Sequence, residues 1–496
     1  MKKACILLVT MLIALSLFIS GCKNAEIKED NPLPITYDNK SHSNEIGAKN
    51  TTNDNSDRIK SQNLSKSIEW VFPPELDIHR TLAQHSNIAL DSEKNILYTT
   101  NFEEGLTAIH ASSGEVAGEY KFFDMGLNSV EIVELGLHPN GNIYAYDFGN
   151  SKVLIINPNG KLEYTIPFEY NENFIMTVPK FVFTKNSFAY FGGQDGKVYC
   201  VNEKGDIIWN VLIGENKVTN TNQPVTEICI SNDEGLIIAV SSFTEYNPVY
   251  GIDALTGEIK WEYINPKFKY VSYITKDRFN NIILAANDPK QSDIWFSADP
   301  NAPDPPFDKI NTIIGGSIIL LDSNGNEKSI LEIPNEVNIE LVKPDPSHKR
   351  LIAICSTYVK EENLLSPYFL FIIDYEGNII KGRSVNMSME VLARKSEDNI
   401  LVDGDYIYVG SDDGLKKFDI DGNLIDTHDI IIDEKIHARI FQTDPKEKVI
   451  YLIGTGEQIS DEHGSSSRIF KYFYYEMVSE DDIEPLTDEE LNKIPN

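Results

Sequence analysis

The chain has 496 residues, 41% hydrophobic and 10% aromatic, enough apolar material for a large packed core. Its 76 acidic against 44 basic side chains leave a formal charge of -32. That excess excludes the phosphate-neutralising surface of a nucleic-acid binder and the polybasic segments that hold proteins on anionic lipid. Solubility and repulsion of like-charged neighbours account for it.

At the N-terminus, Lys2 and Lys3 precede an apolar run from Ala4 to Ile19 and then small residues, the order of a secretory signal. Ile19-Ser20-Gly21-Cys22 resembles the lipobox of bacterial lipoproteins. The resemblance implies that residues 1–21 are a lipoprotein signal peptide and that Cys22 carries the lipid. The mature chain is then held at the bacterial cell membrane by lipid, facing the extracytoplasmic side. No later apolar run reaches spanning length. Residues 22–65 are rich in Asn, Ser, Asp and Lys without a sustained period, and read as a disordered tether. As a flexible coil it reaches about 35–40 Å.

Beyond the tether, short apolar strands recur over residues 66–479, starting at Asn95, Asn142, Ser187, Gly235, Asn281, Arg350, Asp405 and Lys448. Their spacing lies in the mid-forties, with one large and one smaller insertion. Seven are followed by a further strand and a tight turn, whose glycines are Gly114, Gly160, Gly205, Gly257, Gly325, Gly377 and Gly422. Asp or Asn stands three or four residues before six of them, where its side chain can bond backbone donors across the turn. No amphipathic helical stretch of useful length interrupts the pattern. Several short strands per unit is the signature of a β-propeller blade, so the expected fold is all-β, with eight four-stranded blades or, alternatively, seven. The eighth unit lacks the turn glycine and a fourth strand, and Ser67–Phe72 (SIEWVF) reads as the missing piece. An N-terminal strand would then close the ring.

Trp209 and Trp261 stand four residues after Gly205 and Gly257, and Trp70 occupies the matching strand of the closing unit. The units KVYCVNEKGDIIWNV and VYGIDALTGEIKWEY resemble the PQQ-like repeat of quinoprotein-type propellers, with its tryptophan-docking motif. The resemblance implies that each indole packs between neighbouring blades with its N–H on a backbone acceptor. Four residues after the other glycines stand Gly118, Tyr164, Ser329, Lys381 and Asp426, and NIYAYDFGNSKVLIINPNGK looks more like an NHL-type repeat. Quinoprotein dehydrogenases of the family use a vicinal Cys-Cys pair and calcium ligands. This chain has no adjacent cysteines and no identifiable calcium motif, so neither PQQ nor a metal is expected. Asp322–Asn326 and Asp419–Asn423 look like ion loops, but glycine comes fourth, where an EF-hand needs it sixth.

Cys200, Cys229 and Cys355 sit in strand-like contexts. Their odd number leaves no complete disulfide framework, and buried free thiols are expected, a Cys200–Cys229 bridge being the alternative. The nine histidines are scattered, and HExxH, GxSxG and P-loop motifs are absent, so no catalytic residue is assigned and no enzyme is expected. An insertion over 288–311 (DPKQSDIWFSADPNAPDPPFDKIN) falls between the second and third strands of the fifth blade. The same connection is lengthened near Phe243–Val249 and Ser356–Tyr368 in the blades beside it. Propeller topology sends these segments out on one face. Phe243, Tyr246, Trp295, Phe296, Phe307 and Tyr358 are therefore the candidate partner-binding residues, unless the insertion folds back over its own aromatics.

The expected function is a protein-binding scaffold of the bacterial cell envelope, monomeric, with envelope proteins as partners. In plan it is similar to propeller lipoproteins of the outer-membrane barrel-assembly machinery. The alternative is a small-ligand or carbohydrate sensor, or an enzyme, using the central channel. Residues 480–496 form an acidic C-terminal tail.

Overall fold

The computed structural model describes residues 68–72 and 88–473, apart from 102–104, 129, 170–179, 217–220, 242–246, 269, 290–312, 334–336, 346, 360–363, 386–398, 412–413, 429–436, 445–446 and 461–463. The signal peptide with Cys22, the tether and the acidic tail lie outside the described residues.

Apart from one 3-10 turn, Phe122–Met125, the described elements are all strands. They form eight four-stranded antiparallel sheets and one two-stranded ribbon, Glu215–Asn216 with Thr221–Asn222. In chain order, sheets 1 to 7 span Ile88–Lys121, Ile132–Pro167, Phe181–Leu212, Val225–Tyr263, Tyr270–Glu332, Val337–Val385 and Ile400–His428, each with its strands in sequence order. Sheet 8 comprises His437–Asp444, Val449–Ser460 and Gly464–Phe473, and takes Ile68–Phe72 as its fourth strand. That strand pairs antiparallel with the last one, Trp70 opposite Lys471 and Phe72 opposite Ile469.

The strand types follow from their residues. Second and third strands are short apolar runs buried on both faces, as in Ile143–Asp147 and Lys197–Val201. Fourth strands alternate, as in Ile207–Leu212, so one side of each stays at the surface. The turn between third and fourth strands is made by the Asx residue. Asp322 Oδ1 accepts the backbone N–H groups of Asn324 (2.8 Å) and Asn326 (2.9 Å), while Gly325 N–H closes on Asp322 O at 3.0 Å with φ +78°. The side-chain amide of Asn326, with these backbone donors, holds the Asp322 carboxyl below the ordinary range. Both loops that look like ion sites are hairpin turns of this kind, since Asp419 serves Asp421 and Asn423 in the same way.

A second periodic position is less visible in the sequence. Just before the second strand, every sheet has a residue with positive φ: Asn95, Gly141, Ser187, Glu234, Asn280, Lys349, Gly404 and Lys448. Only two of the eight are glycine, so the position has no composition signal.

Successive sheets pack face to face through apolar clusters. Leu135, Ile143 and Leu154 of sheet 2 meet Tyr98, Leu106 and Ala108 of sheet 1, and comparable clusters join the following sheets as far as sheet 7. The strands that approach from sheet to sheet are mainly the first ones. Sheet 8 packs in turn on sheet 1, with Trp70, Phe72, Val449 and Ile469 against Ile88, Leu97 and Ile109.

At the outer side of these joints, a side chain from the fourth strand of one sheet lies over the turn glycine of the next. Trp209 Nε1–H donates to Ala254 O (3.1 Å), Trp261 to Ser323 O (3.0 Å) and Trp70 to Ala111 O (3.0 Å). A Cβ on Gly257 would fall 2.7 Å from the Trp209 indole, so the ring and the glycine need each other. Gly205 receives Tyr164 in the same manner, and Gly377 receives Leu331. In sheet 1 the docking residue is Tyr120, six residues after the turn glycine, not Gly118 four after it. Its hydroxyl donates to Pro158 O at 3.3 Å and its ring covers Gly160. Gly118 has no side chain to dock, and the next residue on the same strand face takes over. The missing Cβ also leaves room for the Tyr120 ring to fold back. Leu331 replaces Ser329 by the same two-residue step.

Candidate functional site at the long-connection end

Sheets 4, 5 and 6 share the feature that singles out one end of the molecule, long connections between second and third strands. In sheet 4 the strands stop at Ser241 and resume at Val249; in sheet 5 they stop at Pro289 and resume at Ile313. Asp288 and Pro289 thus belong to a strand, and the insertion proper is 290–312. Phe243, Tyr246, Trp295, Phe296 and Phe307 lie outside the described residues.

Tyr358 has a different setting from the loop expected for it. It is on the second strand of sheet 6, opposite Leu365, and pairing continues to Val359 opposite Leu364. The flanking strands give out earlier, at Val337 opposite Thr357 and Val385 opposite Tyr368. The lengthened connection is therefore a two-stranded ribbon projecting past its sheet. β-branched and aromatic residues on both arms (STYV and LLSPYF) favour continued pairing over a loop. Sheet 8 has a second such ribbon, with Gln458 opposite Ser465 and Ser460 opposite Gly464, beyond His437 opposite Thr455.

The first strands of sheets 3 to 6 carry a polar arc at the same end. Lys180 Nζ lies 3.0 Å from Glu227 Oε2 and 4.1 Å from the centre of the Tyr273 ring. Glu227 opposes Val240, beside the end of its neighbouring strand, which fixes the pair at the long-connection side. Between sheets 5 and 6, Asn287 Nδ2 donates to Ser272 Oγ and to Ile339 O, both at 3.1 Å, and its Oδ1 accepts Ile339 N–H at 2.8 Å. Glu340 accepts the Ser356 hydroxyl at 2.8 Å and an Asn338 amide hydrogen. The ion pair is only partly exposed, and the ring beneath Lys180 is buried, so both are stronger than surface pairs. Sequence patterning did not reveal this arc, because its members are scattered polar residues on or beside the first and second strands of four sheets.

Cys200 and Cys355 are buried free thiols and Cys229 a half-buried one. Burial pushes Cys200 up to about 12 and Cys355 well above its ordinary value, which keeps both protonated and poorly nucleophilic. Among the described residues no three His, Cys, Asp or Glu side chains stand together as metal ligands would. What the described residues offer at this end is a set of mutually paired polar groups.

No protein-family model matches the chain, and no curated protein matches it in sequence. Its architecture is similar to solved structures. Saccharomyces cerevisiae Sqt1, a β-propeller protein, is 11% identical, with a TM-score of 0.51 over 80% of this chain and 97% of that one. The computationally designed Ika8 protein is 12% identical, with a TM-score of 0.50 over 79% of this chain and 98% of its own. BamB from Moraxella catarrhalis, a PQQ-like repeat β-propeller, is 11% identical, with a TM-score of 0.47 over 67% and 83%. At these identities the likeness concerns architecture alone, and it places the fold among the β-propellers.

Proposed function

We propose that the chain is an eight-bladed β-propeller closed by its N-terminal strand, anchored through lipid on Cys22 at the extracytoplasmic side of a bacterial cell membrane. It acts as a protein-binding scaffold for envelope proteins, without PQQ and without chemistry of its own. Eight four-stranded sheets that pack in sequence, the last against the first, support the ring. The anchor rests on the lipobox-like residues before Cys22.

One observation carries the functional reading: in three consecutive sheets the second and third strands are joined by long connections at the same end, and the described polar groups at that end are already paired. Paired groups need no ligand to satisfy them, so recognition falls to the connections. Those connections hold Phe243, Tyr246, Trp295, Phe296, Phe307 and Tyr358, aromatic side chains of the type that anchors protein interfaces.

Crosslinking in intact cells tests the reading. Pro289 and Ile313 are cross-strand partners, so 290–312 can be replaced by a two-residue turn with both strands kept. The expected result is a discrete envelope protein captured by the wild type and lost with the deletion. Equal capture by both proteins would remove the insertion from the interface. Capture by neither, with thermal stabilisation by a saccharide, would move the function to the channel.

A further inference from the structure

The turns that join first to second and third to fourth strands lie at the end opposite the long connections. There a cleft of about 240 Å³ opens between sheets 4 and 5. The Ser231–Leu236 turn forms one wall, Lys276 and Ser323 line the other, and Leu236 and Ile282 supply its apolar lining. Two opposite charges face this cleft without meeting. Asp233 Oδ1 accepts the Ser231 hydroxyl at 2.6 Å and the Gly235 N–H at 3.1 Å, which fixes the carboxylate. Those donors, aided by the Lys276 charge, hold the group below its ordinary range, so it is ionised at neutral pH. Lys276 Nζ donates across the joint to Ile230 O. Among the described residues it has no further hydrogen-bond partner, which leaves two of its three hydrogens. Lys276 thus acts on Asp233 through its charge alone. The same end of later joints is closed by direct contact. His348 Nε2 lies 3.1 Å from Asp405 Oδ1 between sheets 6 and 7, and Lys448 Nζ 2.6 Å from Asp403 Oδ2 between sheets 7 and 8. The joint of sheets 4 and 5 keeps an acid and a base but leaves space between them.

We propose that this cleft binds a small aliphatic α-amino acid. The ligand's carboxylate takes the remaining Lys276 donors, its ammonium takes Asp233 Oδ2, and its side chain lies on Leu236 and Ile282. A ligand of one charge would satisfy one of the two groups and be repelled by the other, whereas a zwitterion satisfies both. A neutral overall charge also suits a chain of formal charge -32, whose field repels free anions. The cleft's size selects a small molecule, since drug-sized ligands occupy roughly 300–1,000 Å³. The inference is independent of the partner-binding reading, which uses other residues and the other end of the sheets.

Isothermal titration calorimetry on the full chain in detergent, with L-leucine and L-valine as probes, provides the test. The expected result is saturable binding of at least one of them. Asp233→Asn and Lys276→Met each weaken it at least about tenfold, the loss that follows one charge-assisted hydrogen bond. The unaltered chain should bind leucinamide, which lacks the carboxylate, and isocaproate, which lacks the ammonium, at least about tenfold less well than leucine. These analogues keep the test decisive if a variant melts early. No binding of either amino acid overturns the proposal. So does a single-charge analogue that binds as well as leucine, or an affinity unchanged in either variant.

Discussion

Replacing Gly257 by alanine tests the joint between sheets 3 and 4 in a single methyl group. Gly257 has φ +73°, where an L side chain costs about 1–2 kcal/mol against its neighbouring carbonyl. The added Cβ would also lie 2.7 Å from Trp209 Cδ2 and 2.9 Å from two further indole carbons. The indole cannot simply retreat, because its N–H is held by Ala254 O, and Tyr190, whose hydroxyl donates to the same carbonyl at 3.0 Å, packs against it. Overpacking of this kind costs a further ~1–3 kcal/mol, giving about 2–5 kcal/mol in all. Trp209→Phe should cost less through its lost hydrogen bond, about 1 kcal/mol, since Ala254 O keeps Tyr190 as donor. Urea unfolding of Gly257→Ala, Trp209→Ala and the double variant separates the two contributions. With Trp209 already truncated, the steric part disappears and only the backbone part, about 1–2 kcal/mol, remains. Strict additivity of the two single changes would refute the docking argument, as would a Gly257→Ala cost below about 0.5 kcal/mol.

Two further outcomes follow from single polar groups. His348 ties sheet 6 to sheet 7, its Nδ1 2.6 Å from Asp345 Oδ2 and its Nε2 3.1 Å from Asp405 Oδ1. The Asp345 hydrogen bond, helped by Asp405, raises its pKa. Its stabilisation is therefore full below the unfolded value near about 6.5 and fades as pH rises through the folded one. Melting curves of His348→Gln should fall furthest below wild type at acid pH and converge with it at alkaline pH; a pH-independent gap would exclude the ion pair. Tyr144 is fully buried, and its hydroxyl has no hydrogen-bond partner among the described residues, as is also true of Nε2 of the stacked His138. Removing an unmatched buried hydroxyl relieves a desolvation cost, so Tyr144→Phe should melt at or above wild type, by up to about 1 kcal/mol. A loss of that size instead would mean that the hydroxyl is bound.

The periodic parts of the fold were legible because the chemistry of each position is narrow. Gly257 and Gly325 stand out since only glycine fits both the positive φ and the indole above it. Trp70, Trp209 and Trp261 stand out because tryptophan is rare and each occupies the same register. Where chemistry is permissive, the sequence was silent. Tyr120 and Leu331 dock as the tryptophans do, yet are displaced by two residues and share no residue type. The left-handed position before each second strand is filled by Ser, Glu, Lys or Asn as readily as by Gly, because the fold around it imposes the conformation. The arc of Lys180, Glu227, Tyr273 and Glu340 comes from residues dozens of positions apart, and only the stacking of sheets brings them together. For the same reason the extended ribbon that carries Tyr358 reads as an insertion in sequence and as added strand in space.

The closing strand links architecture to the proposed anchorage. The chain enters the described body at Ile68, so with lipid on Cys22 any load between membrane and propeller would pass through Ile68–Phe72 first. That strand is the sole covalently remote member of its sheet: the other three are consecutive at the far end of the chain. It is held on two sides. Backbone pairing with Ile469–Tyr472 and an ion pair between Glu69 and Lys471 fix it within sheet 8. On the other side, Trp70 reaches across to sheet 1, donating to Ala111 O and lying against Gly114. At 8% exposure the indole is largely buried, and packing of an aromatic this size is worth several kcal/mol to its joint. Pairing alone would leave a five-residue strand to peel from an edge, and such a strand is marginal without packing. The tryptophan makes removal of the strand open two sheets at once, so the segment by which the chain enters the described body is coupled to the first and the last sheet.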